Sequence, residues 1–153
     1  MANVERTAEV VWSGTIARGT GMASGGSGAL GELPITLASR FGDPEGKTSP
    51  EELIAAAHAG CFTMALGSVL AGRGTPPERL DVSARVTLAT TGTPRIESSE
   101  LEVHGLVAGA DQASFEEASR EAERNCLVSR ALQGNVEIRV HAMLDQRPIS
   151  SVA

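Results

Sequence analysis

Two cysteines, Cys61 and Cys126, are the residues of this chain best suited to chemistry, and they stand far apart in the sequence. Sulfur attacks as the thiolate, so what a cysteine does depends on what lowers its pKa. His58 lies one helical turn before Cys61 on the same side, where it could act as a base. A histidine at that spacing serves equally as a hydrogen-bonded core or interface residue, and a cysteine among alanines and glycines serves as one more small hydrophobe. Arg40 and Arg18 are candidate cations for acidifying a thiol, each otherwise a solvated surface group. The pair is open to three readings: two buried hydrophobes, a redox couple, or part of a metal site that needs further ligands. With no Cys-x-x-Cys or His-x-x-x-His spacing, structural zinc has little support. A Cys–His hydrolase dyad stays open beside the redox couple.

The element that must position Cys61 is a helix running from Ser49 to about Arg73. Ser49 can accept from the Glu52 N–H while the Glu52 carboxylate reaches back, a capping box, and Pro50 takes the first helical position. From Leu53 to Gly72 only His58, Thr63 and Ser68 are polar, which leaves no broad face for water and predicts a helix buried on every side. Its length would also span a bilayer. Alanine and glycine dominate rather than leucine, two carboxylates open it, and basic residues cluster at neither end, so a soluble core helix is expected. No secretory signal pattern stands at the N-terminus, and the expected location is cytoplasmic. Cys61 sits about three turns in, beyond the reach of the helix dipole, so its acidifying charge must come from elsewhere.

Around this helix the pattern is mostly that of strands. Residues 7–12 read as a first strand, Ser13-Gly14 as a turn, and Ile16–Met22 as its hairpin partner. The glycine-rich run Gly19–Gly31 suggests a flexible tip or a close backbone approach. It lacks the Gly-Lys-Ser/Thr ending of a phosphate loop. Leu33–Ser39 reads as a third strand, delivering Arg40 and Phe41 into a loop over 42–49. Leu80 to Leu88 alternates cleanly, and a second long strand changes phase between Ile96 and Leu101, which predicts a bulge. Ser114-x-x-Glu117 reads as a capping box opening a helix with Phe115, Ala118 and Ala122 on one stripe and its end near Asn125. A short helical stretch to Gly134 follows Cys126, then a strand from Val136 to Ala142, then a loosely tethered tail from Asp145.

With 153 residues the chain has the size of one domain, 1–153, of α+β class with a mostly antiparallel sheet. A formal charge of -6, a single lysine, Lys47, and no tyrosine argue against nucleic acid. One chain has too few elements to surround an all-apolar helix, which predicts a homodimer in which the helix packs on its own copy.

The run Pro50-Glu-Glu-Leu-Ile-Ala-Ala-Ala-His-Ala-Gly-Cys61-Phe-Thr-Met-Ala-Leu resembles the signature helix of the osmotically inducible protein C and organic hydroperoxide resistance family. The resemblance extends to Arg18-Gly-Thr-Gly, to Arg40-Phe41 and to Cys126 followed by Val128-Ser129, and leans to the osmotically inducible branch. It implies an intertwined homodimer and a thiol peroxidase without metal, haem or other cofactor. Cys61 would be the peroxidatic cysteine and Cys126 the resolving one, with a sulfenic acid and then a Cys61–Cys126 disulfide as intermediates. Glu51 would pair with an arginine holding the Cys61 thiolate: Arg40, with Arg18 as the other branch's alternative. Organic hydroperoxides, and hydrogen peroxide beside them, would be substrates, and a lipoyl-type dithiol the reductant. Phe41, Phe62 and Met64 would line an apolar pocket or serve as ordinary core. The family's usual Cys-Pro-Val-Ser is here Cys126-Leu127-Val128-Ser129. A cysteine-based redox sensor and a non-enzymatic stress-induced binding protein are the rival readings.

Overall fold

The computed structural model describes residues 2–145, so the tail expected beyond Asp145 lies outside the described residues. The chain divides into two compact units, 1–53 and 54–153.

The first unit is a three-stranded antiparallel sheet in the order β1 (Ala8–Ser13), β2 (Thr20–Gly25), β3 (Leu33–Ile35), followed by a one-turn helix α1 (Leu37–Phe41). β2 begins later than the sequence pattern suggests. Gly14 takes φ +92° and the Gly19 N–H bonds Thr15 O at 2.6 Å, which closes a turn around Ile16 and keeps it out of the sheet. Half of the glycine-rich run is therefore strand. Gly21 lies flat against the Trp12 ring, where an added Cβ would stand 2.8 Å from Cε3, so close approach is the reason for glycine there. The third strand is also shorter than expected, because Thr36 stops it and caps α1. The Thr36 hydroxyl accepts from the Ser39 N–H at 3.0 Å and Ser39 Oγ accepts from the Thr36 N–H at 3.1 Å. Arg40 and Phe41 thus sit in the last turn of a helix rather than in a loop.

The long helix α2 spans Pro50–Gly72. Its N-terminal serine caps as expected, the Glu52 N–H reaching Ser49 Oγ at 3.1 Å. The reciprocal half of the box is absent, because the Glu52 carboxylate accepts from Thr48 Oγ1 at 2.8 Å instead.

In the second unit α2 lies with a three-stranded sheet in the order β4 (Arg79–Ala89), β5 (Arg95–Leu106), β6 (Glu137–Leu144), and with α3 (Gln112–Asn125) and α4 (Leu127–Leu132). One stripe of α2, comprising His58, Phe62, Leu66, Val69 and Leu70, is buried with Leu101 and Val103 of β5 and with Phe115, Ala118 and Ala122 of α3. The expectation of burial on every side fails for the single chain, since Met64 is 72 % exposed and Gly60, Ser68 and Ala71 also face outward. By length and composition alone α2 could cross a membrane.

β4 alternates as its pattern requires, and its pairing with β5 is antiparallel. The bulge lies at Glu97: Thr87 faces Ser98 and Leu88 faces Ile96, and the phase change leaves Ser98 and Ser99 both buried. β6 runs parallel to β5, because α3 and α4 carry the chain back between them, so this sheet is mixed while three of the four strand pairings are antiparallel. α3 starts one turn earlier than Ser114 suggests. Asp111 is the N-cap, accepting from the Ser114 N–H at 2.8 Å, and Ser114 is the third helical residue that closes the box.

Candidate active site

The fold of the second unit brings the two cysteines together. Cys61 projects from the middle of α2, half-buried against the hydrophobic core, and Cys126 is fully buried at the junction of α3 and α4, as C-cap of the first and N-cap of the second. At that junction Cys126 leaves the helical region (φ -66°, ψ 118°), and its sulfur accepts from the Ser129 N–H at 3.4 Å, the role a serine or aspartate oxygen has in an ordinary cap. Both thiols are free.

Burial by itself would raise the Cys61 pKa. The backbone N–H of Val128, the Cys126 thiol and the backbone N–H of Leu127 all donate to its sulfur and outweigh that, so the thiol titrates below its ordinary range. The acidifying groups anticipated from the sequence were cations. Those found in this unit are amides at the start of α4, whose only sequence signal is the Cys126-Leu-Val-Ser run with sulfur in a capping position.

His58 is fully buried one turn from Cys61. Its Nδ1 lies 2.7 Å from Ser99 Oγ on β5 and its Nε2 lies 2.8 Å from Ser129 Oγ on α4. Burial pushes its pKa down, so the ring is neutral and each nitrogen has a hydroxyl partner. Neither nitrogen is left for Cys61, and a Cys–His dyad is not formed.

In the first unit Arg40 and Glu51 form the ion pair. Arg40 Nε and Nη2 both donate to Glu51 Oε1, at 2.9 and 2.7 Å, so the contact is two-pronged on the arginine side only. Glu51 Oε2 is buried with no hydrogen-bond partner among the described residues. A carboxylate oxygen in that condition retains full capacity for another donor. The guanidinium also stands 5.8 Å from the Phe41 ring centroid. Arg18 lies exposed in the turn between β1 and β2. Of the three residues anticipated around an apolar pocket, Phe62 is fully buried core while Phe41 and Met64 are exposed. Among the described residues no cluster of histidine, cysteine, aspartate or glutamate is arranged to hold a metal ion.

Residues 42–141 match the family model described as OsmC-like protein. Peroxiredoxin OsmC of Escherichia coli K12 is 35 % identical over 136 residues, which cover 88 % of this chain and 94 % of that protein. Among solved structures, the organic hydroperoxide resistance protein OhrB of Bacillus subtilis superposes with a TM-score of 0.71 at 26 % identity, covering 90 % of this chain and 98 % of the other. An organic hydroperoxide resistance protein OsmC from Legionella pneumophila gives a TM-score of 0.72 at 25 % identity, with 93 % and 98 % covered. Paired thiols on an α+β scaffold and similarity along nearly the full chain lead to one conclusion: the chain belongs to the OsmC-like protein family and is a peroxidase of the peroxiredoxin type.

Proposed function

We propose that the protein reduces organic hydroperoxides, with hydrogen peroxide as a further substrate, using Cys61 as the attacking thiol and Cys126 as the resolving thiol. The observation that carries this reading is that the fold packs Cys61 of α2 against the same buried cluster that holds Cys126, with both thiols free. The Cys61 thiolate attacks one peroxide oxygen, the O–O bond breaks, and the alkoxide leaves as alcohol after taking a proton. Cys61 is then a sulfenic acid. The Cys126 sulfur attacks Cys61, the S–S bond forms, and hydroxide departs with the thiol proton as water. A dithiol of the lipoyl type, itself oxidised to its disulfide, restores both thiols, and the chain needs no cofactor.

Arg40, oriented by Glu51, is the group we assign to the developing negative charge on the leaving oxygen, because a guanidinium fixed by a carboxylate offers planar, charged N–H donors. In this reading residues 1–153 act as one domain in the cytoplasm, and the protein is a homodimer in which a second copy covers the open side of α2.

Steady-state consumption of cumene hydroperoxide with dihydrolipoamide tests the assignment. Cys61→Ser is expected to abolish turnover, and Cys126→Ser to allow one reduction per subunit before stalling in an oxidised form. Peroxide treatment of the wild type is expected to give an intrachain disulfide, seen as a loss of about two hydrogens in mass without a covalent dimer. Equal multiple-turnover activity in both variants would overturn the roles.

A further inference from the structure

A fully buried polar group of the second unit, with both of its ring nitrogens partnered, is one that the steps above leave unused. His58 is wholly buried, and its two ring nitrogens tie three elements together: α2 through its own backbone, β5 through Ser99 and α4 through Ser129. Ser129 has a second tie, since its backbone N–H is the donor to the Cys126 sulfur at 3.4 Å. The residue whose hydroxyl is gripped from α2 therefore also fixes the resolving sulfur, and α2 is the helix that carries Cys61. α4 has only six residues, too few to hold its own orientation by helix formation. Its buried contacts must do so, and Leu127, its first residue, contributes little because it is 69 % exposed.

We infer that His58 is a positioning residue for Cys126: the Ser99–His58–Ser129 chain holds α4 in the register at which the Cys126 sulfur faces Cys61. The inference rests on the roles proposed above for the two cysteines. A neutral imidazole suits the task, because it has one donor and one acceptor on opposite sides of a rigid ring and can bridge two hydroxyls without burying a charge. An imidazole serving as base toward Cys61 would need one nitrogen free, and neither is.

The geometry separates the two ends of the ring. An asparagine at 58 can reach Ser99 in place of Nδ1 but not Ser129, whereas a glutamine can extend its amide to the Nε2 position. The full-length His58→Asn, His58→Gln and Ser129→Ala proteins would be mixed with one equivalent of cumene hydroperoxide and quenched over time. Loss of the Cys61 thiol, dimedone capture of its sulfenic acid and appearance of the disulfide are then read by mass. Thiol loss is expected to slow as well, since the Leu127 and Val128 amides that donate to Cys61 belong to α4, but by less than closure, because attack on peroxide does not need the Cys126 sulfur in register. Disulfide closure is expected to slow about tenfold or more in His58→Asn and Ser129→Ala, as loss of one buried hydrogen bond implies, with dimedone labelling rising in step. His58→Gln should restore most of the closure rate.

Unchanged closure in His58→Asn and Ser129→Ala, or parallel loss in all steps and in both His58 variants, would overturn the inference and leave His58 a general packing residue. Titration of the thiol pair against reduced and oxidised glutathione supplies an arm without peroxide. The effective concentration of Cys126 toward Cys61 should fall about tenfold in Ser129→Ala and His58→Asn and recover in His58→Gln. If wild type forms no Cys61 sulfenic acid with hydroperoxide, the peroxidase reading fails, while the glutathione arm still decides whether His58 positions Cys126. Should His58→Asn fail to fold, Ser129→Ala decides both arms.

Discussion

Leu127 shows what one backbone group does for a thiol. Its N–H is among the donors to Cys61, together with Val128 and the Cys126 thiol, and it stands at the first position of α4, where the resembled family pattern has a proline that owns no N–H. Proline would fit there sterically, since a first helical residue needs no amide hydrogen for the helix and Cys126 already has an extended ψ of 118°. Leu127→Pro should therefore fold, lose one thiolate donor and raise the Cys61 pKa toward the ordinary thiol value. Iodoacetamide alkylation of Cys61 across pH is expected to show a midpoint shifted upward and a rate at neutral pH lower by about two- to tenfold. An unmoved midpoint would mean that the Val128 amide and the Cys126 thiol suffice. His58 sets a second pH dependence, of stability rather than rate. Its folded pKa lies below the unfolded 6.5 through burial, and its ring meets two hydroxyls and no charged group. The unfolded chain takes up that proton first, so the native state loses stability as pH falls from about 6.5 toward the depressed folded value and regains it on return. His58→Gln should flatten this part of the curve in urea titrations at a series of pH values.

At the scale of elements, two short helices held by caps carry Arg40 and adjoin Cys126. α1 has five residues and one capping box, and its last turn aims Arg40 at Glu51. Thr36→Ala removes the hydroxyl that receives the Ser39 N–H and should cost about 1 kcal/mol of stability. If Arg40 acts on the leaving oxygen, the same change should lower kcat/KM for peroxide, and Thr36→Ser should restore both. A loss of stability without a change in kcat/KM would detach α1 from catalysis. β5 is held to α3 by a different device. Gly105 lies under Phe115, where an added Cβ would stand 2.6 Å from ring Cε2, and Phe115 is fully buried and has nowhere to move. Gly105→Ala is expected to destabilise by about 1–3 kcal/mol, measured by urea unfolding.

At the scale of the whole molecule, two features bear on the proposed homodimer. One side of α2 is apolar yet exposed at Met64, and Glu51 Oε2 is buried without a partner among the described residues. On one continuous helix Glu51 and Cys61 stand about 15 Å apart along the axis, at about 1.5 Å per residue. Two α2 helices crossing antiparallel would bring the first turn of one to the middle of the other, so that Glu51 of one subunit serves Cys61 of its partner. Unfolding and refolding a mixture of Glu51→Ala and Cys61→Ser homodimers, each inactive, should restore one working site per heterodimer. Heterodimers confirmed by native mass spectrometry and lacking activity would place glutamate and cysteine of a working site in one chain.

Local codes were legible without coordinates. Ser49-Pro50 starts α2, strict alternation marks β4, and the phase change in β5 announces its bulge, because each depends on hydrogen bonds or side-chain directions within a few residues. The run around Cys61 carried the family. Where two local codes competed, the sequence misled: Thr36 and Asp111 start helices with serine as the third residue, a weaker signal than the apolar Leu33, Ile35 and Leu37 around Thr36 or the Ser114–Glu117 pair. Pairings between distant elements could not be read at all. That His58 bridges two serines, that amides of α4 acidify Cys61, and that β6 joins β5 in parallel each depend on where the chain returns after dozens of residues. Side-chain type limits what each residue can bond, and only burial in a shared core decides which partners remain when water is gone.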